Sequence, residues 1–395
     1  MDTAYLLDVA SLLLRWLHVI VGIAWIGASF YFVWLDNSLR PPTDPALKAK
    51  GVGGELWAVH GGGFYNPQKY LVAPAHLPEE LHWFKWEAYS TWITGFFLIG
   101  TIYYSQASTY MVDPSKANLT PGEAVGIGLA TLIGGWLVYD GLCRLLLKRN
   151  LLVFAGIYFA FVVAVAWVLT HLLSGRAAFL HVGAMIATTM SANVFFWIIP
   201  GQKKTVAAMK RGETPDPIHG LRAKQRSVHN NYLTLPVLFC MISNHYAFTY
   251  SAPHAWAVLA LIFLAAVLIR HFFNLRHKGL FAWPYPLAGA VILAAVFIWL
   301  APVPLAVANI ADTPSIAQVT PIIQARCVEC HSAHPTLMPA APAGVFLDTP
   351  EEIRANASRV IEQAVKLKAM PLGNVTKITD AERQTLAAWA AGGFK

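Results

Sequence analysis

Apolar residues fall in eight long runs along the first three quarters of the chain, near 9–36, 88–108, 122–143, 151–173, 177–199, 230–249, 254–274 and 284–303. As helices rising about 1.5 Å per residue, each can cross a hydrocarbon layer roughly 30 Å thick. Turn formers punctuate them. Ser174-Gly175 predicts a tight turn between the fourth and fifth runs, Pro200-Gly201 an end to the fifth, and Ser251-Ala252-Pro253 a break between the sixth and seventh. Beyond 303 the runs stop. Residues 304–314 read as a linker and 315–395 as a small helical domain of ordinary polarity. The predicted fold is all-α: an eight-transmembrane-helix bundle over 1–303 followed by a compact C-terminal unit.

Composition and charge agree with that pattern. The chain has 395 residues, 56% hydrophobic and 13% charged, which excludes an ordinary soluble protein. The net charge of +8 does not point to nucleic acid, because the basic residues follow the loops. With the N-terminus outside, the loops 37–87, 144–150, 200–229 and 270–283 face the cytoplasm and hold 18 Lys and Arg, against Lys116 and Arg176 in the outer loops. That asymmetry is the positive-inside pattern.

The sharpest chemical signal is Cys327-Val328-Glu329-Cys330-His331. C-x-x-C-H is the attachment signature of a c-type haem, with two thiols bonded to the macrocycle and the adjacent imidazole on the iron. A four-ligand zinc site would need a second ligand pair, and only His334 follows within this domain. Met370 lies 39 residues after His331, far enough for the chain to reach the opposite haem face, and is the expected second axial ligand. The C-terminal unit is therefore expected to be a small class I cytochrome c. Haem c is attached outside the cytoplasm. With eight spans, this puts both the N-terminus and the haem domain in the periplasm of a bacterial inner membrane, in agreement with the charge asymmetry.

Several motifs together carry a family resemblance: Trp16-Leu17-His18 through Trp25-Ile26-Gly27, His60-Gly61-Gly62-Gly63-Phe64-Tyr65 with Lys69, Leu81-His82-Trp83-Phe84-Lys85-Trp86-Glu87-Ala88-Tyr89, Ser227-Val228-His229-Asn230-Asn231-Tyr232, and the Met370 segment. The chain resembles, over its whole length, the bacterial integral-membrane urate oxidases that carry a C-terminal cytochrome c. The resemblance implies oxidation of urate to 5-hydroxyisourate, with electrons passed singly to the fused haem c. From there they would go to a soluble cytochrome c or a terminal oxidase.

A site for a planar purine anion needs cationic or amide donors, an aromatic floor and a base. Lys69 and Lys85 supply charge, Asn230 and Asn231 amides, Phe64, Tyr65 and Trp86 stacking, and Glu87, His60 or His229 a base. Lys85 and Trp86 equally suit a membrane interface, and Asn230-Asn231 equally suits a cap on the sixth helix. Intramembrane ionisable groups point to function. His18, His171, His181 and His245 are expected at similar outer depth, and His18, His181 and His245 are candidate ligands of a haem b. A second class of function remains open: a quinol-dependent electron-transfer module reducing a periplasmic acceptor.

Overall fold

The computed structural model describes residues 3–395 apart from 72, 75, 147–149 and 302–312. The expected linker, 304–314, and the end of the eighth apolar run therefore lie mostly outside the described residues. The first helix, α1 (Thr3–Ser38), is followed by α2 (Trp86–Ile99), α3 (Pro121–Leu146), α4 (Leu151–Leu172), α5 (Gly175–Asn193), α6 (Ile199–Lys210), α7 (Pro217–Ile242), α8 (Ala255–Arg276) and α9 (Pro284–Trp299). The chain is mostly helical. Five helical stretches are long and apolar enough to cross a membrane: Tyr5–Ser38, Pro121–Leu146, Leu151–Leu172, Gly175–Lys210 and Ala255–Arg276. The other three expected spans fall on α2, the polar-headed α7 and the shorter α9.

Three boundaries differ from the sequence expectation. Pro200 does not end the fifth helix. A π-turn at Val194–Ile198 joins α5 to α6 in one continuous stretch, and Pro200 sits just past that turn, at the second position of α6. The helix expected to begin at 230 begins instead at Pro217, capped by the Asp216 side chain accepting from the Ile218 N–H at 2.9 Å. Asn230 and Asn231 are thus mid-helix residues, not caps. The chain is also not purely α. Within loop 37–87, β1 (Val52–Glu55) pairs antiparallel with β4 (Gln68–Tyr70), and β2 (Ala58–His60) with β3 (Gly63–Tyr65). Gly61 and Gly62 have φ of 58° and 80°, so the glycine run makes the β2–β3 hairpin turn.

Helix α5 is the centre of the bundle, buried along most of its length and packed on α3, α4 and α7. Small residues allow the close approach. Gly135 receives Met185, Gly128 receives His181 and Gly183 receives Cys240. Helix α1 lies on α2, and its Leu12, Leu13, Trp16, Val19, Ile20 and Ile23 face outward.

The C-terminal unit has its own core. Its helices α10 (Ile316–Arg326), α11 (Pro350–Ala355) and α12 (Asp380–Ala391) enclose Val319, Ile323, Leu347, Ile353, Leu386 and Trp389. Thr349 and Thr379 close capping boxes with Glu352 and Glu382. The Ile316 N–H donates to the Lys395 carbonyl at 2.8 Å, tying the two ends of the unit together.

Candidate functional site

The first loop scatters its candidate residues. His60 and Tyr65 are exposed on the β2–β3 hairpin. Lys69, on β4, pairs with Asp36 at the end of α1, and Lys224 of α7 reaches the other Asp36 oxygen at 2.8 Å. Burial and the Lys224 charge both lower the Lys69 pKa. Lys85 precedes α2 and lies 5.8 Å from the centroid of the exposed Trp86 ring. Glu87 enters the first turn of α2. One of its oxygens is 3.9 Å from His82 Nε2, and the other is buried without a hydrogen-bond partner.

The polar residues of α7 separate onto two faces. One face meets α3 and α5. There Arg226 donates to Asp140 at 2.7 Å and to Asn193 at 3.2 Å. Asn193 Nδ2 donates to Tyr139 Oη at 3.1 Å and to Asn230 Oδ1 at 3.0 Å, and Asn230 in turn donates to the Met190 carbonyl at 2.9 Å. Trp197 Nε1 and Arg144 complete the shell of Asp140, each at 2.7 Å. His229 joins through Nδ1, 2.8 Å from Tyr139 Oη, with its ring stacked 5.0 Å from Phe154. Asp140 is thus a buried carboxylate with full hydrogen bonding, the condition under which such a charge is tolerated. Of the candidate residues, His229 and Asn230 share this network.

The other face carries Asn231 toward α8 and α1. Its Oδ1 accepts from Arg270 Nε at 2.8 Å and from Asn274 Nδ2 at 3.1 Å. The Arg270 guanidinium lies 4.0 Å from the centroid of the Phe30 ring. Sequence reasoning missed Arg270 and Asn274, because the seventh apolar run was expected to end near them in a basic loop. The available signal was their spacing. Arg270, Asn274 and His277 stand at i, i+4 and i+7, one face of a helix.

The histidines of the apolar runs each have their own surroundings. His18 Nδ1 is 3.0 Å from Thr94 Oγ1. His181 is fully buried, with Nδ1 2.8 Å from the Ala177 carbonyl and Nε2 3.2 Å from Tyr104 Oη. Gly128 is packed against its Nε2 edge. Both ring nitrogens of His181 thus have hydrogen-bond partners. His171 is exposed on α4, and His245 is exposed at the end of the short turn Ser243–His245.

The haem-type motif follows α10. Cys327 ends α10, and Cys330 and His331 follow it, all three half-buried. The His331 N–H donates to the Cys327 carbonyl at 2.9 Å, and its ring Nδ1 is 3.1 Å from the Val345 carbonyl. A histidine held by Nδ1 on a carbonyl keeps Nε2 for a metal, so these residues fit a haem c. Across the unit, Arg383 donates to the Ala364 carbonyl and, at 3.0 Å, to the Met370 carbonyl, fixing the Met370 segment. Beyond it, Pro371–Asn374 lies against the bundle. A cleft of about 700 Å³ there is lined by Lys116, His171 and Arg176 on one side and by Lys368, Gly373 and Arg383 on the other.

A helical, largely apolar protein with a buried polar face on α7 and a haem-type motif behind it is the class that fold and site define. The family model described as urate oxidase N-terminal matches residues 4–301, and the chain belongs to that family. The match covers the bundle and stops short of Cys327–His331. No curated protein and no solved structure matches the chain.

Proposed function

We propose that the protein is a membrane-bound urate oxidase that converts urate to 5-hydroxyisourate and passes the electrons to its own C-terminal cytochrome c. Urate monoanion plus water gives neutral 5-hydroxyisourate, one proton and two electrons, so the reaction needs an acceptor. The observation that carries the reading is the joining of two parts in one chain. A urate oxidase family bundle over 4–301 is continuous with a Cys327-x-x-Cys330-His331 unit whose imidazole is already oriented by Val345. A haem c held by Cys327, Cys330, His331 and Met370 would supply one-electron capacity.

The five apolar helices and the loop asymmetry of Lys and Arg support an inner-membrane location with the cytochrome unit in the periplasm. A soluble cytochrome c or a terminal oxidase would then take the electrons. In this reading His229 or Glu87 takes the proton from water or urate, the one half-buried beside Tyr139, the other carrying an unpartnered oxygen.

Anaerobic titration of the purified protein with urate, followed at the haem α-bands, tests the reading. Reduction of a c-type band by urate is expected. Reduction by a quinol but not by urate would replace it with an electron-transfer module.

A further inference from the structure

The strongest unassigned feature of the molecule is the group of unused polar atoms between α7 and α8. Asn231, Arg270 and Asn274 are 0%, 5% and 8% exposed. Their mutual bonds fix which atoms are spent. Asn231 Oδ1 accepts from both Arg270 Nε and Asn274 Nδ2, so the free atoms are Asn231 Nδ2, Arg270 Nη2 and Asn274 Oδ1. All three are buried and unpartnered, as is Nδ1 of His277 on the same face of the helix. Among the described residues Arg270 takes part in no ion pair. A buried guanidinium without a counter-charge and with an idle N–H is a costly arrangement unless something else completes it.

We propose that these atoms are the recognition face for the oxopurine anion, an inference that rests on the urate reading above. The chemistry they require is specific. Two donors, one of them cationic, and one amide acceptor match a planar anion whose edge alternates carbonyl oxygens with N–H groups. The anion supplies the negative charge that Arg270 lacks, and its N–H supplies the donor that Asn274 Oδ1 lacks. The guanidinium sits over the Phe30 ring and its Nε is held by Asn231 Oδ1, so the Nη2 donor is largely positioned before binding. The Asp140–Arg226 network on the opposite face of α7 cannot do this work, since its cation already has a carboxylate.

The test uses the full-length haem-loaded protein and radiolabelled urate. Binding is measured by equilibrium dialysis on dithionite-reduced protein, which cannot turn the ligand over. Asn231→Asp is the decisive variant, because its carboxylate neutralises Arg270 from within. It is expected to keep or raise thermal stability while weakening urate binding by about ten- to hundredfold, the range for losing a charge-assisted hydrogen bond. Arg270→Gln should weaken urate to a similar extent, and Arg270→Lys should restore part of the affinity. Wild-type binding of urate with unchanged affinity in Asn231→Asp and Arg270→Gln would overturn the site and leave the urate reading intact. Failure of wild-type protein to bind urate, together with failure of urate to reduce its haem, would overturn both.

Discussion

Gly373, three residues after Met370, lies directly against the carbonyl oxygen of Val112 at the rim of the bundle. A methyl group at position 373 would overlap that oxygen, and the backbone there has φ of 56°. The contact brings the Met370 side of the C-terminal unit onto the membrane-type bundle, next to the cleft lined by Arg176 and Lys116. Gly373→Val is therefore expected to strain the loop by about 1–2 kcal/mol through the left-handed conformation alone, and to lift the unit from its seat. Stopped-flow measurement should show slower haem reduction by urate with unchanged reduction by dithionite. A urate-driven rate equal to that of the wild type would mean that electrons do not cross at this contact.

Asp140 is the shared acceptor of Arg226, Arg144 and Trp197. Asp140→Asn leaves the Arg226 charge buried without its partner, a loss of about 3–5 kcal/mol. The expected outcome is poor yield and a lowered unfolding temperature in detergent. The double variant Asp140→Asn, Arg226→Met should recover much of that stability. Recovery of stability without recovery of urate oxidation would show that the pair also serves the site.

The haem-type unit should come apart in acid. Hydrogen bonds from Ser332 and the Ala333 N–H hold the Asp348 carboxyl below its usual range, and the Lys368 bond and charge do the same for Asp380. Burial works against the charge of Glu382, but bonds from Thr379 and Arg326 outweigh it and its pKa is lowered. A carboxylate with a depressed folded pKa stabilises the fold above its unfolded value near 4 and loses that stabilisation as pH falls through the folded one. The Soret and near-ultraviolet signals should be flat from about pH 7 to 5 and collapse below about pH 4. Asp380→Asn should reduce the steepness of the loss. Collapse centred near pH 6 would implicate a histidine instead.

The reasons for what the sequence hid are local. Apolar runs marked the long helices because lipid-length apolar stretches have few other uses, and Cys327–His331 stood out in the C-terminal unit because its spacing is chemically constrained. Helix α7 was misplaced because its first turns are polar. Arg226 and Asn230 are buried there by pairing with Asp140 and Asn193, not by being apolar. The same blindness put Arg270 in a loop. The β-strands of loop 37–87 are three or four residues long, too short to show an alternation. Pro200 looked like a helix end because a π-turn cannot be read from composition.

His229 offers the clearest separation of base from binding residue. Its Nδ1 is held by Tyr139 Oη at 2.8 Å, and its ring is stacked on Phe154, so its orientation is set before any ligand arrives. It lies on the face of α7 opposite Asn231 and Arg270, so it serves as the base only if urate is held on the Asp140 side instead. In that case His229→Gln lowers the rate of urate-driven haem reduction by about a hundredfold or more with little change in urate affinity, whereas urate held at the Asn231–Arg270 face leaves that rate within a few-fold of wild type. Tyr139→Phe, which frees the imidazole without removing it, should cost less in rate. The opposite pattern, a large loss of affinity in His229→Gln at constant rate, would make His229 a contact to the purine and leave Glu87, with its idle buried oxygen, as the base to test next.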